Sequence, residues 1–252
     1  IENYLAYGTK DGNFKYNLGF AWRYGKFTNS WFGFSYTDDI QEIASTKFAV
    51  EQKILKLTDT DWFVNSYYFN YVKWRAFAET RIIPKTESVW ELAHTIVEPK
   101  FDYLYNLNNR TYKIYNLSTA MVSIQWNPFS DYIQTPNARL ESKIGYPKFY
   151  IQATKTLPKT FKNDFDFTKI DLKSTYEYKF LNGQKTNVIL GFSYAFGDVP
   201  ITHLYNNSPN SFNQDKILQR ISLEKENNFE TMYFNEFFTN SFTYLQLKHA
   251  LK

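Results

Sequence analysis

Three histidines supply all the imidazole in this chain: His94, His203 and His249. They are scattered, and no spacing typical of a metal site joins them. Cysteine is absent, which excludes a thiolate metal site, a disulfide and a cysteine nucleophile. The one pairing with catalytic promise is Asp198 with His203 in "GDVPITH", since a carboxylate that orients an imidazole is part of an acyl-transfer triad. The competing reading is a turn, because Gly197-Asp198 followed by Pro200 punctuates a strand end. The chain carries no G-x-S-x-G, no glycine-rich phosphate loop and no H-E-x-x-H. No catalytic residue, metal or cofactor is assigned, and a non-enzymatic protein is expected.

Charge is as uninformative as histidine. Lys and Arg number 29 and Asp and Glu 25, for a formal net charge of +4, with both signs interspersed and no basic run. Aromatic residues interleaved with Lys and Asn could stack the bases of a single strand. Here the aromatics fall on the face opposite the charges, so nucleic acid is not an expected partner.

What positions these groups is alternation. In "DLKSTYEYKFLNGQKTNVILGFSYAF" (Asp171 to Phe196) the even positions Leu172, Tyr176, Tyr178 and Phe180 are apolar or aromatic, as are Val188, Leu190, Phe192, Tyr194 and Phe196. Asp171, Lys173, Glu177 and Lys179 take the other face. Side chains alternate with period two, so matching the faces requires even residues opposite even residues. A two-residue Asn182-Gly183 turn would mix them. A three-residue loop, Leu181-Asn182-Gly183, pairs Phe180 with Gln184, Tyr178 with Thr186 and Tyr176 with Val188, with Gly183 in the left-handed position that loop needs. "NFKYNLGFAWRY" repeats the pattern: Phe14, Tyr16, Leu18, Phe20, Trp22 and Tyr24 against Lys15, Asn17, Gly19, Ala21 and Arg23.

The same period places further strands at "NYLAYGT", "WFGFSYT", about Phe63 to Ile83, "SVWELAHTIV", "NLSTAMVSIQW", "KFYIQATK" and "FTYLQLKHAL". His94 and His249 fall on strands, His203 on a loop. From Asp38 to Trp62 the pattern lapses, into a short amphipathic helix or a long loop. "YNLNNRTY", "NPFSDYIQTPNARLESKIGYP" and "GDVPITHLYNNSPNSFNQDK" read as polar connections. The count is ten to twelve strands in a single region, 1–252, with no second domain.

The greasy rows face either lipid or a packed core. No run of about eighteen apolar residues exists, so a transmembrane helix is excluded, but a membrane barrel is not. Several strands reach ten residues, where a tilted strand needs about nine to eleven to cross a bilayer and soluble strands cluster near five or six. Tyr and Trp bound the greasy rows as an aromatic girdle would, and short turns alternate, imperfectly, with long loops. Aromatics make up 20% of the chain, yet mean hydropathy is −0.51. So many tyrosine hydroxyls could hardly all find partners in a dry core. The pattern favours an all-β, antiparallel up-and-down transmembrane barrel over a soluble sandwich. Its lipid-facing row is Phe14, Tyr16, Leu18, Phe20, Trp22, Val188, Leu190, Phe192 and Phe196. Its lumen-facing row is Lys15, Asn17, Arg23, Lys173 and Glu177, and the small residues among them suit a wet or plugged lumen.

Longer stretches go beyond pattern. "YLAYGTKDGNFKYN", "YIQTPNARLESKIGYPKFYIQATK", "FDFTKIDLKSTYEYKF", "FGDVPITHLYNN" and "FETMYFNEFFTNSFTYLQLKHAL" resemble a Bacteroidota family of large outer-membrane proteins of unknown function. In that family a barrel-forming region follows a small carboxypeptidase-regulatory-like β-sandwich. The resemblance implies an integral outer-membrane protein acting as scaffold, conduit or subunit of a complex. Its implied partners are membrane lipid and lipopolysaccharide, with other outer-membrane proteins or a lipoprotein as candidates. It also implies an internal part of a longer barrel, because members begin with a signal peptide and the sandwich and continue for several strands. A barrel hydrolase with a rim site and a soluble β-rich binding module are the alternatives.

Overall fold

The computed structural model describes residues 3–8, 12–25, 28–43, 47–51, 68–81, 83–107, 110–135, 139–158, 162–205, 209–211, 229–233 and 238–250. Among them run β1 (Tyr4–Tyr7), β2 (Phe14–Gly25), β3 (Ser30–Glu42), β4 (Tyr68–Thr80), β5 (Thr86–Pro99), β6 (Tyr105–Leu107), β7 (Arg110–Tyr112), β8 (Tyr115–Trp126), β9 (Asp131–Gln134), β10 (Arg139–Lys143), β11 (Lys148–Thr156), β12 (Phe167–Lys179), β13 (Lys185–Gly197), β14 (Pro209–Ser211), β15 (Phe229–Tyr233) and β16 (Ser241–Ala250). The fold is all-β. No helix of the described residues is long and apolar enough to cross a membrane.

Ten strands make one antiparallel sheet in the order β1-β2-β3-β4-β5-β8-β11-β12-β13-β16. It is a meander: each strand pairs with the next, except where a small hairpin or loop is inserted. The expected hairpin is present as read, with Tyr176 opposite Val188 and Tyr178 opposite Thr186. Phe180 N–H donates to Gln184 O at 2.9 Å, and Gly183 has φ +85. β3 runs on through Glu42, so the region where alternation lapses begins later than the sequence suggests, and of the stretch assigned to a strand from Phe63, residues 63–67 lie outside the described residues. The polar connections hide short ribbons, β6–β7 in "YNLNNRTY" and β9–β10 in the proline-containing segment.

The meander has two ends. Antiparallel pairing sets the C-terminal ends of β2, β4, β8 and β12 at one, which we call the turn end, and those of β1, β3, β5, β11 and β13 at the other, the loop end. The sheet is rolled far enough for its inner face to meet itself. Ile43 after β3, Phe69 of β4, Val97 of β5 and Tyr115 and Leu117 of β8 share one buried cluster with Phe167 of β12, Ala195 of β13 and Tyr205. Closure is where the structure departs from the expectation of a barrel: among the described residues no hydrogen-bonded ladder joins β1 to β16.

Candidate functional site

The rolled sheet presents two surfaces, its inner face and its outer wall. The inner face is built by the odd-numbered residues of β2, β3, β4, β5, β8, β12 and β13 and the even-numbered residues of β11 and β16, which share one side by register. It is filled. At the loop end Tyr115, Phe165 and Phe167 are almost wholly buried, with Phe165 set edge-on to Tyr115 at 4.9 Å between centroids. Burying each such ring is worth about 1.5–3 kcal/mol. The segment after β11 is stitched to β8: Leu157 N–H donates to Ser118 O at 2.7 Å, and Asn116 N–H donates to Asp164 Oδ2 at 2.7 Å. Tyr115 and Thr202 share a hydroxyl hydrogen bond that ties a 3-10 turn, Ile201–His203, onto this cap.

Deeper inside lies a charged layer. Glu91 is 8% exposed and accepts from Lys73 Nζ and from Arg75 Nε, each at 2.5 Å. The Arg75 guanidinium also lies 4.3 Å from the Phe77 ring centroid. A carboxylate taken out of water needs such partners.

Residues 47–51 plug the middle. They leave β3 and enter the interior, where they dock on β11 and β12. Gln152 grips their backbone twice: Ala49 N–H donates to its Oε1 at 2.9 Å, and its Nε2 donates to Lys47 O at 3.3 Å. Phe48 and Val50 are buried, with Phe48 5.9 Å from the Tyr150 ring. Lys173 Nζ reaches Glu51 Oε1 at 2.5 Å and lies over both the Phe48 and Tyr150 rings. Beside the plug, the register lines up Ser123, Gln152, Asp171 and Ser193 across four strands as a buried polar belt. Sequence reasoning missed the plug. Its signal was Phe48 and Val50 alternating with Lys47, Ala49 and Glu51, a strand-like pattern too short to stand out.

The expected rows separate onto opposite sides of the sheet. Phe20 and Trp22 are 71% and 70% exposed. Phe14, Leu18, Leu190, Phe192 and Phe196 are exposed as well, while Tyr16 and Val188 are half-buried. Lys15, Asn17, Arg23, Lys173 and Glu177 lie on the inner side and are half-buried. Asn17 accepts from Thr37 Oγ1 at 2.9 Å, and Arg23 lies over the Trp31 ring. The outer row is not confined to two hairpins: Phe32, Phe34, Trp74, Trp90, Leu92, Ile151, Leu245 and Leu247 are also exposed large apolar groups.

The histidines do not converge. His94 Nδ1 lies 2.9 Å from Ser118 Oγ on the outer wall, and His249 Nδ1 lies 2.8 Å from Thr186 Oγ1. His203 packs against Phe69 and Phe167 with its Nδ1 2.8 Å from Thr202 Oγ1, while Asp198 is exposed on the strand-end turn. Burial, seconded by the nearby Lys169 and Lys73 ammonium groups, pushes the His203 imidazole down to about 3, so it is neutral at physiological pH. Among the described residues no group of three or more His, Asp or Glu side chains is placed to hold a metal ion.

Comparison with curated proteins and with solved structures found no match. Residues 99–241, from the end of β5 to the start of β16, match the family of unknown function (DUF5686) C-terminal domain. That span is more than half of the chain and takes in β8, β11, β12 and β13 with the cap they carry, so the chain belongs to the DUF5686 family.

Proposed function

We propose that this chain is wall of an outer-membrane β-barrel and serves as a scaffold or as a subunit of an outer-membrane complex, with no catalytic role. One observation carries the reading: an outer face that bears exposed aromatic and aliphatic side chains on β2, β3, β4, β5, β12 and β13, strands of 12–14 residues. Water penalises such an area, whereas hydrocarbon does not, and strands of this length exceed the about nine to eleven residues needed to span it. The packed interior favours a scaffold over a conduit, because cap, charged layer and plug each occupy part of the inner face. The Bacteroidota source, a preceding carboxypeptidase-regulatory-like domain, further strands that close the barrel, and contact with lipopolysaccharide or a lipoprotein all belong to this proposal and rest on the resemblance in sequence. The test is refolding into lipid vesicles beside refolding in detergent-free buffer. Folded protein that floats with vesicles and precipitates without them is the expected result. A monodisperse, folded species in plain buffer would sink the membrane reading and favour a soluble module.

A further inference from the structure

The outer wall is not uniform. A groove of about 640 Å³ opens on it across β2, β3, β4, β5 and β8. Its cause is visible in the register. One outward row runs Phe20, Phe34, Ala76, Leu92, so a methyl group stands between two large side chains. The row beside it runs Leu18, Tyr36, Trp74, His94, Ser118. Ala76 is the floor, Phe34 and Leu92 are the sides, and Trp74 overhangs one end. The aromatic side is braced: Tyr36 and Trp74 lie 4.4 Å apart, and Phe34 meets Phe32 edge-on at 5.0 Å. The groove is therefore preformed.

We propose that this groove holds one acyl chain of a membrane lipid, an inference that rests on the outer-membrane reading. The chemistry of the lining selects that occupant. Its polar floor atoms, His94 Nδ1 and Ser118 Oγ, lie 2.9 Å apart and satisfy each other. The floor strands are paired along both edges, so they offer no ladder to an incoming strand. Arg75 is the charged residue among those lining the groove, and its guanidinium is turned to the inner face and paired with Glu91, so a charged ligand group would find no counter-charge on the outward side chains. A narrow, uncharged, flexible chain loses nothing on entering, whereas a polypeptide would bring backbone amides with no partner. The groove also opens directly onto the apolar wall, so a chain lying there reaches it without crossing water.

Tryptophan reports on the site, because Trp74 lines the groove and Trp22 stands on the same wall outside it. The experiment titrates brominated phosphatidylcholine into the detergent-solubilised protein. The quenching due to each ring is taken as the difference between wild type and Trp74→Phe or Trp22→Phe. Trp74 should reach half-quenching at about tenfold less lipid than Trp22, one decade in affinity. Ala76→Leu, or the milder Ala76→Val, should bring the two curves together while leaving the far-ultraviolet spectrum unchanged. If Trp74 and Trp22 quench alike in the wild type, the acyl-chain site is refuted and the lipid-facing wall stands. If neither is quenched in vesicles made wholly of the brominated lipid, the membrane reading fails and takes the site with it.

Discussion

Removing the Glu91 carboxylate should cost more than removing either cation that faces it. Glu91→Gln leaves Lys73 and Arg75 side by side with no counter-charge, whereas Lys73→Met leaves Glu91 with Arg75 at 2.5 Å. Breaking a buried pair costs about 3–5 kcal/mol, and both cations keep partial exposure, so Glu91→Gln should lose on the order of 2–3 kcal/mol in a urea titration and Lys73→Met less. A larger loss for Lys73→Met would show that the layer is not organised around Glu91. His203 makes a second residue-scale prediction, on pH. Its folded pKa, about 3, lies below the unfolded value of about 6.5, so between those values the unfolded chain binds the proton and the native chain does not. Its contribution is present above pH 6.5 and is lost as pH falls toward 3. His203→Gln should flatten the melting temperature between pH 6.5 and 5, where few carboxylates titrate; an unchanged slope there would mean that the ring is not held neutral. None of this was legible at the residue level. The sequence shows three histidines and many charges, but the partners of Glu91 lie 16 and 18 residues away, and the aromatic neighbours of His203 come from β4 and β12.

At the scale of the element, two glycines on the inner face, Gly191 and Gly33, are places where an aromatic ring lies down. Gly191 of β13 pairs with Tyr244 of β16, and a Cβ on it would sit 2.1 Å from the Tyr244 ring. Gly33 of β3 pairs with Phe77 of β4 in the same way, at 2.6 Å. Such rings cover the bare backbone and fix register. Gly191→Ala should therefore destabilise by about 1–3 kcal/mol, the range for overpacking. In the Tyr244→Ala background the added methyl should cost far less. Equal costs in both backgrounds would place the ring elsewhere. Gly191 and Ser193, small residues of the kind that suit a wet or plugged lumen, are packed, with Ser193 3% exposed. What could be read was whatever period two and turn chemistry dictate, which includes the whole β12–β13 hairpin down to its residue pairs. What could not be read were β6–β7 and β9–β10, three to five residues long, where propensity is weak and tertiary contact decides. Tyr132 shows the contact at work: its hydroxyl accepts from Asn127 Nδ2 at 2.9 Å and anchors β9 to the rim of β8.

At the scale of the whole molecule, alternation tells which face is greasy but not what lies on the other side of the wall. Lys15, Asn17, Arg23, Lys173 and Glu177 read as lumen residues whether a lumen is open or full, and only the path of residues 47–51 decides between the two. Two obstructions in series follow from that path. The plug occupies the middle of the inner face, and the aromatic cap of Tyr115, Leu117, Phe165 and Phe167 occupies the loop end. They rest on different contacts. The plug depends on Gln152, Lys173 and Tyr150, whereas the cap depends on apolar burial and the stitching of Leu157 and Asp164 to β8. Obstructions in series must both be removed before ions pass. Reconstituted into planar bilayers within the longer, closed barrel proposed above, the wild-type protein should therefore be silent, with insertion verified independently by flotation. Phe48→Ala with Lys173→Ala should release the plug and remain silent, because the cap still seals. Tyr115→Ala with Phe165→Ala should open the cap and also remain silent. The four changes together should give ohmic conductance that falls as salt is lowered. Steady conductance from the wild type would overturn the filled interior and restore the conduit among the functions that this wall could serve. Conductance from the plug variant alone would mean that the cap leaks and that residues 47–51 are the sole barrier.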